Sequence, residues 1–282
     1  MKPQSFEILS AMLRSSSGLV LGPDKEYLLE TRLGPVLRRH EVRDLDALAL
    51  KLAPGGGGAR ALADDVVDAM TTNESFFFRD DKPFAHFRGH ALPAMLAARP
   101  ASAKLRIWSA AASSGQEAYS LAMILAECRA QLGGRSVEIL GTDISREQLT
   151  RAREGLYTQF EVQRGLPMQY LVKYFRKDGT QWRMNDAIRE MASFREWNLL
   201  ADPAPLGRFD IVFCRNVLIY FDQATKTRVL DAIARQLAPD GMLYLGGAET
   251  VLGITTRFAP MAGERGVYCL AKAAVPNLAA VG

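Results

Sequence analysis

Apolar and polar positions follow two different periods along this chain. Over the first quarter the period is helical. SFEILSAMLRSSSG spaces its apolar residues three and four apart and stops at Gly18. DKEYLLETRL follows, with Asp24 as its cap, and runs up to Gly34 and Pro35. DLDALALKL is a third helix, closed by the loop cluster from Pro54 to Gly58, and ARALADDVVDAM is a fourth. No strand pattern interrupts them, which predicts a small all-helical domain. From Leu105 onward short apolar runs alternate with helical stretches. LRIWSA, VEILGTD, FDIVFCRN and GMLYLGG have the unbroken apolar character of strands buried in a parallel sheet. AYSLAMILAEC, REQLTRAREG and TKTRVLDAIARQLAP lie between them, the last stopped by Pro239 and Gly241, and MAGERGVYCLAK supplies a closing strand. This order predicts a doubly wound α/β domain with its ligand beyond the carboxyl ends of the strands. The segment from Gly155 to Leu200 breaks the alternation. YLVKYFRKDGTQWRMND reads as a hairpin with Asp178-Gly179 at the turn, and AIREMASFREWNL reads as a further strand. Together they predict a small β insertion at the sheet edge. The residues after Ala273 carry no pattern and are expected to be loose.

Composition narrows the class. The 282 residues are 48% apolar and 23% charged, the balance of a soluble globular protein. No apolar run approaches the roughly 18 residues that span a bilayer. Glu7 interrupts the apolar part of the N-terminus, so a signal peptide is not expected. Three separated cysteines, Cys128, Cys214 and Cys269, fit reduced core thiols better than disulfides or a zinc site. A net charge of +4 permits an acidic partner and gives no argument for nucleic acid.

The candidate chemistry centres on LRIWSAAASSGQEAYS, Leu105 to Ser120. A strand passes through seven mostly small residues into a helix, so a ligand can approach bare backbone and the unpaired N–H groups of the helix start. Asp143, at the end of the next strand, suits ribose hydroxyls. The pair points to a nucleoside-containing cofactor; an ordinary tight turn and a strand-end aspartate would give the same pattern. The absence of GxGxxG after the first strand argues against a nicotinamide-dependent oxidoreductase. In TTNESFFFRDDKPF, Thr71 to Phe84, three phenylalanines anchor a linker that offers Asn73, Ser75 and Arg79 as a polar group. His86 and His90 stand four apart, but HExxH is missing, no third ligand is near, and no metal is expected. Arg32, Arg38, Arg39 and Arg43 form a basic group in the helical region, compatible with a solvated face or with docking of an acidic partner.

With these motifs assembled, the chain resembles the CheR family of S-adenosylmethionine-dependent protein-glutamate O-methyltransferases over about residues 5–272. TTNESFFFRD, IWSAAASSGQEAYSLAM, GTDIS, REWNLL and FDIVFCRNVLIYFD carry the resemblance, in order and spacing. It implies a class I methyltransferase α/β fold with a small all-helical N-terminal domain (1–72) for receptor docking. It further implies a linker (73–90) contributing to the active site and a methyltransferase domain (91–272) carrying an antiparallel β-subdomain at about 157–196. Residues 273–282 would form the loose tail. The resemblance assigns cofactor binding to Asn73, Ser75, Arg79, Glu117, Asp143, Asn198, Leu199, Arg215 and Asn216. Glu117 would meet the methionine part, Asp143 the ribose, and Asn198 and Leu199 the adenine. Arg79 and Tyr220 would be catalytic. Arg32, Arg38, Arg39 and Arg43 would dock substrate. Ser75 stands where the family more often has Thr, and Gln116 and Ala118 replace a Glu and a Pro, so the hydroxyl and the cofactor's Glu117 are both kept. The implied substrates are glutamates in the cytoplasmic signalling domains of methyl-accepting chemotaxis receptors, the product S-adenosylhomocysteine, and the enzyme a cytoplasmic monomer with neither nucleic-acid binding nor membrane insertion. The alternative is a methyltransferase-like docking or sensor module without turnover. Family members that hold a receptor's C-terminal pentapeptide have a longer, glycine-rich hairpin loop; the short turn here, with Gly179 alone, predicts independence of that tether.

Overall fold

A computed structural model describes residues 1–58 and 60–271; the tail expected at 273–282 lies outside the described residues. Four helices open the chain: α1 (Pro3–Ser17), α2 (Glu26–Arg39), α3 (Leu45–Leu52) and α4 (Arg60–Met70). Gly18 ends α1 in the left-handed region, its N–H bonded to the Arg14 carbonyl. Asp44 caps α3 by accepting from the Ala47 N–H at 2.8 Å. Leu9, Leu13, Leu29, Leu33, Leu48 and Val66 have no exposed surface and form the centre of the bundle. Helix α2 does not stop at Gly34 and Pro35, and Asp24 lies in a preceding 3-10 turn, Pro23–Lys25, that offers no side-chain cap. The reason is packing. A proline inside a helix costs about 3 kcal/mol. Beyond it lie Val36, 4% exposed, and Leu37 packed on the same core, and burying such side chains returns about 1.5–3 kcal/mol each.

The linker is nailed down by its aromatics. Phe77 is fully buried and meets Tyr157 and Phe175 edge-on, with ring centroids 5.0 and 5.7 Å away. Phe78 packs against Phe84 at 5.4 Å. Two helices, α5 (Lys82–His86) and α6 (Leu92–Ala98), follow on either side of a π-helical turn.

The main sheet has seven strands: β1 (Leu105–Ala110), β2 (Val137–Asp143), β6 (Ala192–Glu196), β7 (Phe209–Cys214), β8 (Leu237–Leu245), β9 (Phe258–Pro260) and β10 (Val267–Leu270). Their order is β6-β2-β1-β7-β8-β10-β9. The first five run parallel, while β10 is antiparallel to β8 and β9 to β10. Helix α7 (Gln116–Glu127) leaves β1, so the chain winds outward from β1 in both directions. Each face has its own core. Ile211 and Phe213 of β7 pack towards α7, and Val212 and Cys214 pack towards Val229, Leu230 and Ile233 of the helix Gln223–Gln236. Pro239 and Gly241, read as a stop after that helix, instead lie inside β8, which begins at Leu237 directly after the helix.

The insertion departs from its sequence reading. YLVKY is not a strand: it belongs to a helix, Met168–Tyr174, that buries Tyr170, Leu171 and Tyr174. The hairpin is shorter, β4 (Phe175–Asp178) and β5 (Gln181–Met184), with Gly179 and Thr180 between the strands. With β3 (Leu156–Thr158) it makes a three-stranded antiparallel sheet, β3-β5-β4. AIREMASFREWNL starts as the short helix Asp186–Arg189, and its strand, β6, joins the main sheet beside β2. Gly141 permits that pairing, because a Cβ there would stand 2.6 Å from the Phe194 ring. Among the described residues no helix is long and apolar enough to cross a membrane.

Candidate functional site

The loop from β1 into α7 is strained. Ala111, Ser113 and Gly115 all have positive φ, 63°, 51° and 92°. Only glycine takes this conformation without steric cost, and a Cβ at Gly115 would also press within about 3.1 Å of Ala152 and Phe194. The strain turns the Ser113 N–H towards Asp143, whose carboxylate accepts it at 2.7 Å and the Ser145 N–H at 2.9 Å. Asp143 is 7% exposed. Burial pushes its pKa up, and the backbone N–H groups oppose that shift. The result is a held carboxylate at the end of β2, placed to accept hydroxyl protons.

Glu117, in the first turn of α7, is 13% exposed through its side chain. It accepts from Ser109 Oγ at 2.8 Å and from Arg215 Nη1 at 3.1 Å. Burial raises its pKa, and the Arg215 charge is the largest influence pulling it back. Arg215 follows β7, has a side chain only 2% exposed, and also donates to the Arg79 carbonyl at 2.8 Å and to Asp80 at 2.7 Å. Its Nε is buried without a partner. An acid and a base thus meet at the carboxyl edge of the sheet, and Arg215 ties the pair to the linker.

The linker crosses the mouth of the same cleft. Phe78, Asp80 and Asp81 hold positive φ values of 51°, 68° and 43°. Asn73 is pinned by Ser113 Oγ, which donates to its carbonyl at 3.0 Å. Arg79 donates to the Glu74 carbonyl at 2.9 Å and lies 5.2 Å from the Phe76 ring centroid. Arg164 of the insertion also faces that ring, at 4.3 Å, and bonds Glu74 at 2.6 Å.

All ten residues given cofactor or catalytic parts by the resemblance line one cleft: Asn73, Ser75, Arg79, Glu117, Asp143, Asn198, Leu199, Arg215, Asn216 and Tyr220. Asn198 is partly committed already, since its amide donates to the Ser16 carbonyl at 2.6 Å and accepts from the Leu200 N–H at 2.9 Å. The basic group is elsewhere. Arg32 turns inward to the Met70 and Thr71 carbonyls at 2.9 and 3.0 Å, holding the start of the linker. Arg39 pairs with Asp65 at 3.0 Å, Arg43 with Asp44 at 2.7 Å, and Arg38 is exposed. His86 is a core residue. It bonds the Tyr244 hydroxyl at 2.8 Å, burial lowers its pKa, and His90 lies beside it with ring centroids 5.3 Å apart. No group of three metal-type side chains is found among the described residues.

Several wall residues escaped the sequence reading. Ser17 and Leu19 reach the cleft from the end of α1, and Val20 donates its N–H to the Tyr220 carbonyl at 2.9 Å. The stop at Gly18 was visible, but not that it abuts Phe221, whose ring a Cβ at Gly18 would touch at 3.0 Å. Ile144 and Trp197 add apolar wall. Glu249 gave no local signal at all, being one acid in a loop.

Comparison with known proteins accounts for this geometry. Residues 73–267 match the model of the CheR methyltransferase SAM-binding domain, and residues 4–71 match the CheR methyltransferase all-alpha domain. The chain belongs to the CheR methyltransferase family. Chemotaxis protein methyltransferase 1 of Pseudomonas aeruginosa is 39% identical over 271 residues, 95% of this chain and 97% of the relative. A chemotaxis protein methyltransferase of Pseudomonas putida is 38% identical over 95% of this chain and 98% of its own length. That of Escherichia coli is 33% identical over 95% and 91%. The protein is thus a chemotaxis methyltransferase of class I fold with S-adenosylmethionine as its cofactor. The cleft fits that cofactor: the backbone around Gly115 leaves no room for a Cβ, and a buried carboxylate stands at the end of β2.

Proposed function

We propose that this protein transfers the methyl group of S-adenosylmethionine to glutamate side chains in the signalling domains of chemotaxis receptors, giving glutamyl methyl esters. The observation that carries the reading is that Asp143, the Glu117–Arg215 pair, Arg79 and Tyr220 share one cleft. In this reading Asp143 accepts from the ribose hydroxyls. Leu199 and the Asn198 backbone flank the adenine. Glu117, held by Ser109 and Arg215, meets the methionine end, with Asn73, Ser75 and Asn216 beside it. When bound, the cofactor supplies an electrophilic methyl on a positively charged sulfur.

The chain's own residues have an alignment task. A glutamate acceptor has an ordinary pKa of about 4.3 and is ionised at neutral pH, so no general base has to activate it. Arg79, at the mouth, orients the acceptor carboxylate, and Tyr220 positions acceptor and methyl. Such alignment supplies about 7–11 kcal/mol of a barrier. Carboxylate and sulfonium lose their charges together as the bond forms, so a wall that excludes water favours the transition state; Leu19, Trp197 and Phe221 supply apolar wall here. The exposed Arg38, with Arg39 and Arg43, steers the acidic receptor helix to the helical domain. The two-residue hairpin turn at Gly179 offers little free backbone to a tethering peptide, which supports methylation without a C-terminal pentapeptide. The enzyme works as a monomer in the cytoplasm, where those signalling domains lie.

The test is methyl transfer from labelled cofactor to a panel of receptor signalling domains, with base-labile label as the readout. Label on glutamates supports the reading. Cofactor binding without transfer to any receptor would instead identify a sensor or docking module.

A further inference from the structure

Glu249 lies outside every motif considered so far and is 8% exposed. Its carboxylate accepts four backbone hydrogen bonds. Oε2 takes the N–H groups of Gly246 and Asn216, both at 2.7 Å. Oε1 takes those of Val217 at 2.9 Å and Leu218 at 2.7 Å. An ionised carboxylate has about four acceptor positions, and here all are filled. No Lys or Arg stands within ion-pair distance of it among the described residues, so backbone dipoles alone hold the charge. Three of the four donors are successive residues leading from the end of β7 to Tyr220. Asn216, the first of them, is held at φ 59°, a conformation that costs a non-glycine residue free energy and persists only where its surroundings enforce it. Gly246 is required for the same arrangement, since a Cβ there would stand 2.7 Å from Glu249 Oε2 and 2.8 Å from Asn216 Nδ2.

We propose that Glu249 is a positioning residue for methyl transfer: it clamps Asn216, Val217 and Leu218 to the loop after β8 and so fixes where Tyr220 presents its side chain. The other end of that short segment is held by Val20, whose N–H bonds the Tyr220 carbonyl. Glu249 touches neither donor nor acceptor; it acts through the backbone. The role rests on the part given to Tyr220 above. The chemistry demands a carboxylate. Glutamine has the same shape but would turn an amide N–H₂ against two backbone N–H donors, and aspartate is one methylene too short to reach both sides.

The experiment measures cofactor affinity, thermal midpoint and single-turnover transfer at saturating cofactor for wild type, Glu249→Gln, Gly246→Ala and Tyr220→Phe, and for Glu249→Gln combined with Tyr220→Phe. Gly246→Ala keeps the carboxylate but crowds it, and so stands in if Glu249→Gln fails to fold. Both single variants are expected to slow transfer about tenfold or more while cofactor affinity stays within about fivefold. Tyr220→Phe should cost much less in the Glu249→Gln background than in wild type, because its hydroxyl is already misplaced. A stability effect alone would leave the two losses multiplicative. Wild-type transfer rates in Glu249→Gln and Gly246→Ala, or fully multiplicative losses, would overturn the proposal while leaving the proposed function intact. A wild-type chain that methylates no receptor would overturn the acceptor reading and this role with it.

Discussion

Glu117, in the first turn of the helix that follows β1, and Arg215, directly after the adjacent parallel strand β7, are 98 residues apart in the chain and 3.1 Å apart in the fold. Arg215→Met would leave Glu117 buried without its counter-charge, a loss of about 3–5 kcal/mol of stability. The pH dependence has a definite sign. Glu117's folded pKa lies above its ordinary 4.5 because of burial, and the Arg215 charge restrains it. Protonation therefore favours the folded state, and the penalty is absent below the ordinary value and grows as pH rises through the folded one. Without Arg215 that window widens upward. Thermal melts should show the gap between variant and wild type narrowing from about pH 7 to about pH 5. A gap that stays constant would place the damage in packing instead.

Asp143→Ala removes the held carboxylate at the end of β2. Calorimetry should show S-adenosylmethionine binding weakened by about 1.5–3 kcal/mol, the scale of hydrogen bonds to a charged group. Unchanged affinity would remove Asp143 from the ribose site.

Arg79→Ala and Tyr220→Phe should separate binding from chemistry. Cofactor affinity is expected to stay within several-fold, with transfer slowed far more, the mark of contacts made in the transition state. Transfer at the wild-type rate in either variant would strip that residue of its part.

Reversing Arg38 and Arg43 to glutamate should raise the apparent KM for receptor, flatten its salt dependence and leave cofactor affinity alone. Arg32→Ala should behave differently, loosening the linker carbonyls that it now holds. Salt-insensitive kinetics in wild type would return Arg38 and Arg43 to the solvent.

A pentapeptide from the tail of a tether-using receptor, titrated against the full chain, should give no binding at micromolar concentration, and receptors with and without the tail should be methylated alike. Tail-dependent methylation would mean that a two-residue turn is no obstacle.

The main sheet was legible because buried parallel strands are unbroken apolar runs, as in FDIVFC, and because Asp143 ends one of them. Other features depended on distant partners. Pro35 argued for a stop, and only the bundle core makes continuation favourable. YLVKY is rich in β-prone residues, yet Tyr170 and Tyr174 stand one helical turn apart and both bury. Whether SFRE of β6 belonged to the insertion or to the main sheet depended on room beside Gly141, a fact about a segment far upstream. Asn73, Arg79 and Tyr220 could be placed in one cleft only through the family resemblance. Ser17, Leu19 and Glu249 carry no pattern of their own, and their parts exist only once the chain has closed on itself.

The end of α1 is a wall of the cleft, through the Ser16 carbonyl on Asn198 and the Val20 N–H on Tyr220. This has a consequence for biosynthesis. Domains emerge and fold from the amino end first, so on the ribosome the helical bundle is complete while the loop after β6 that carries Asn198 and the turn after β7 that carries Tyr220 are still unmade. The nascent bundle presents an unfinished edge, Ser16 to Val20, and waits for the rest of the chain. Competence to hold the methyl donor arrives only when β7 and the loop after β8 have been translated and that edge has closed over them.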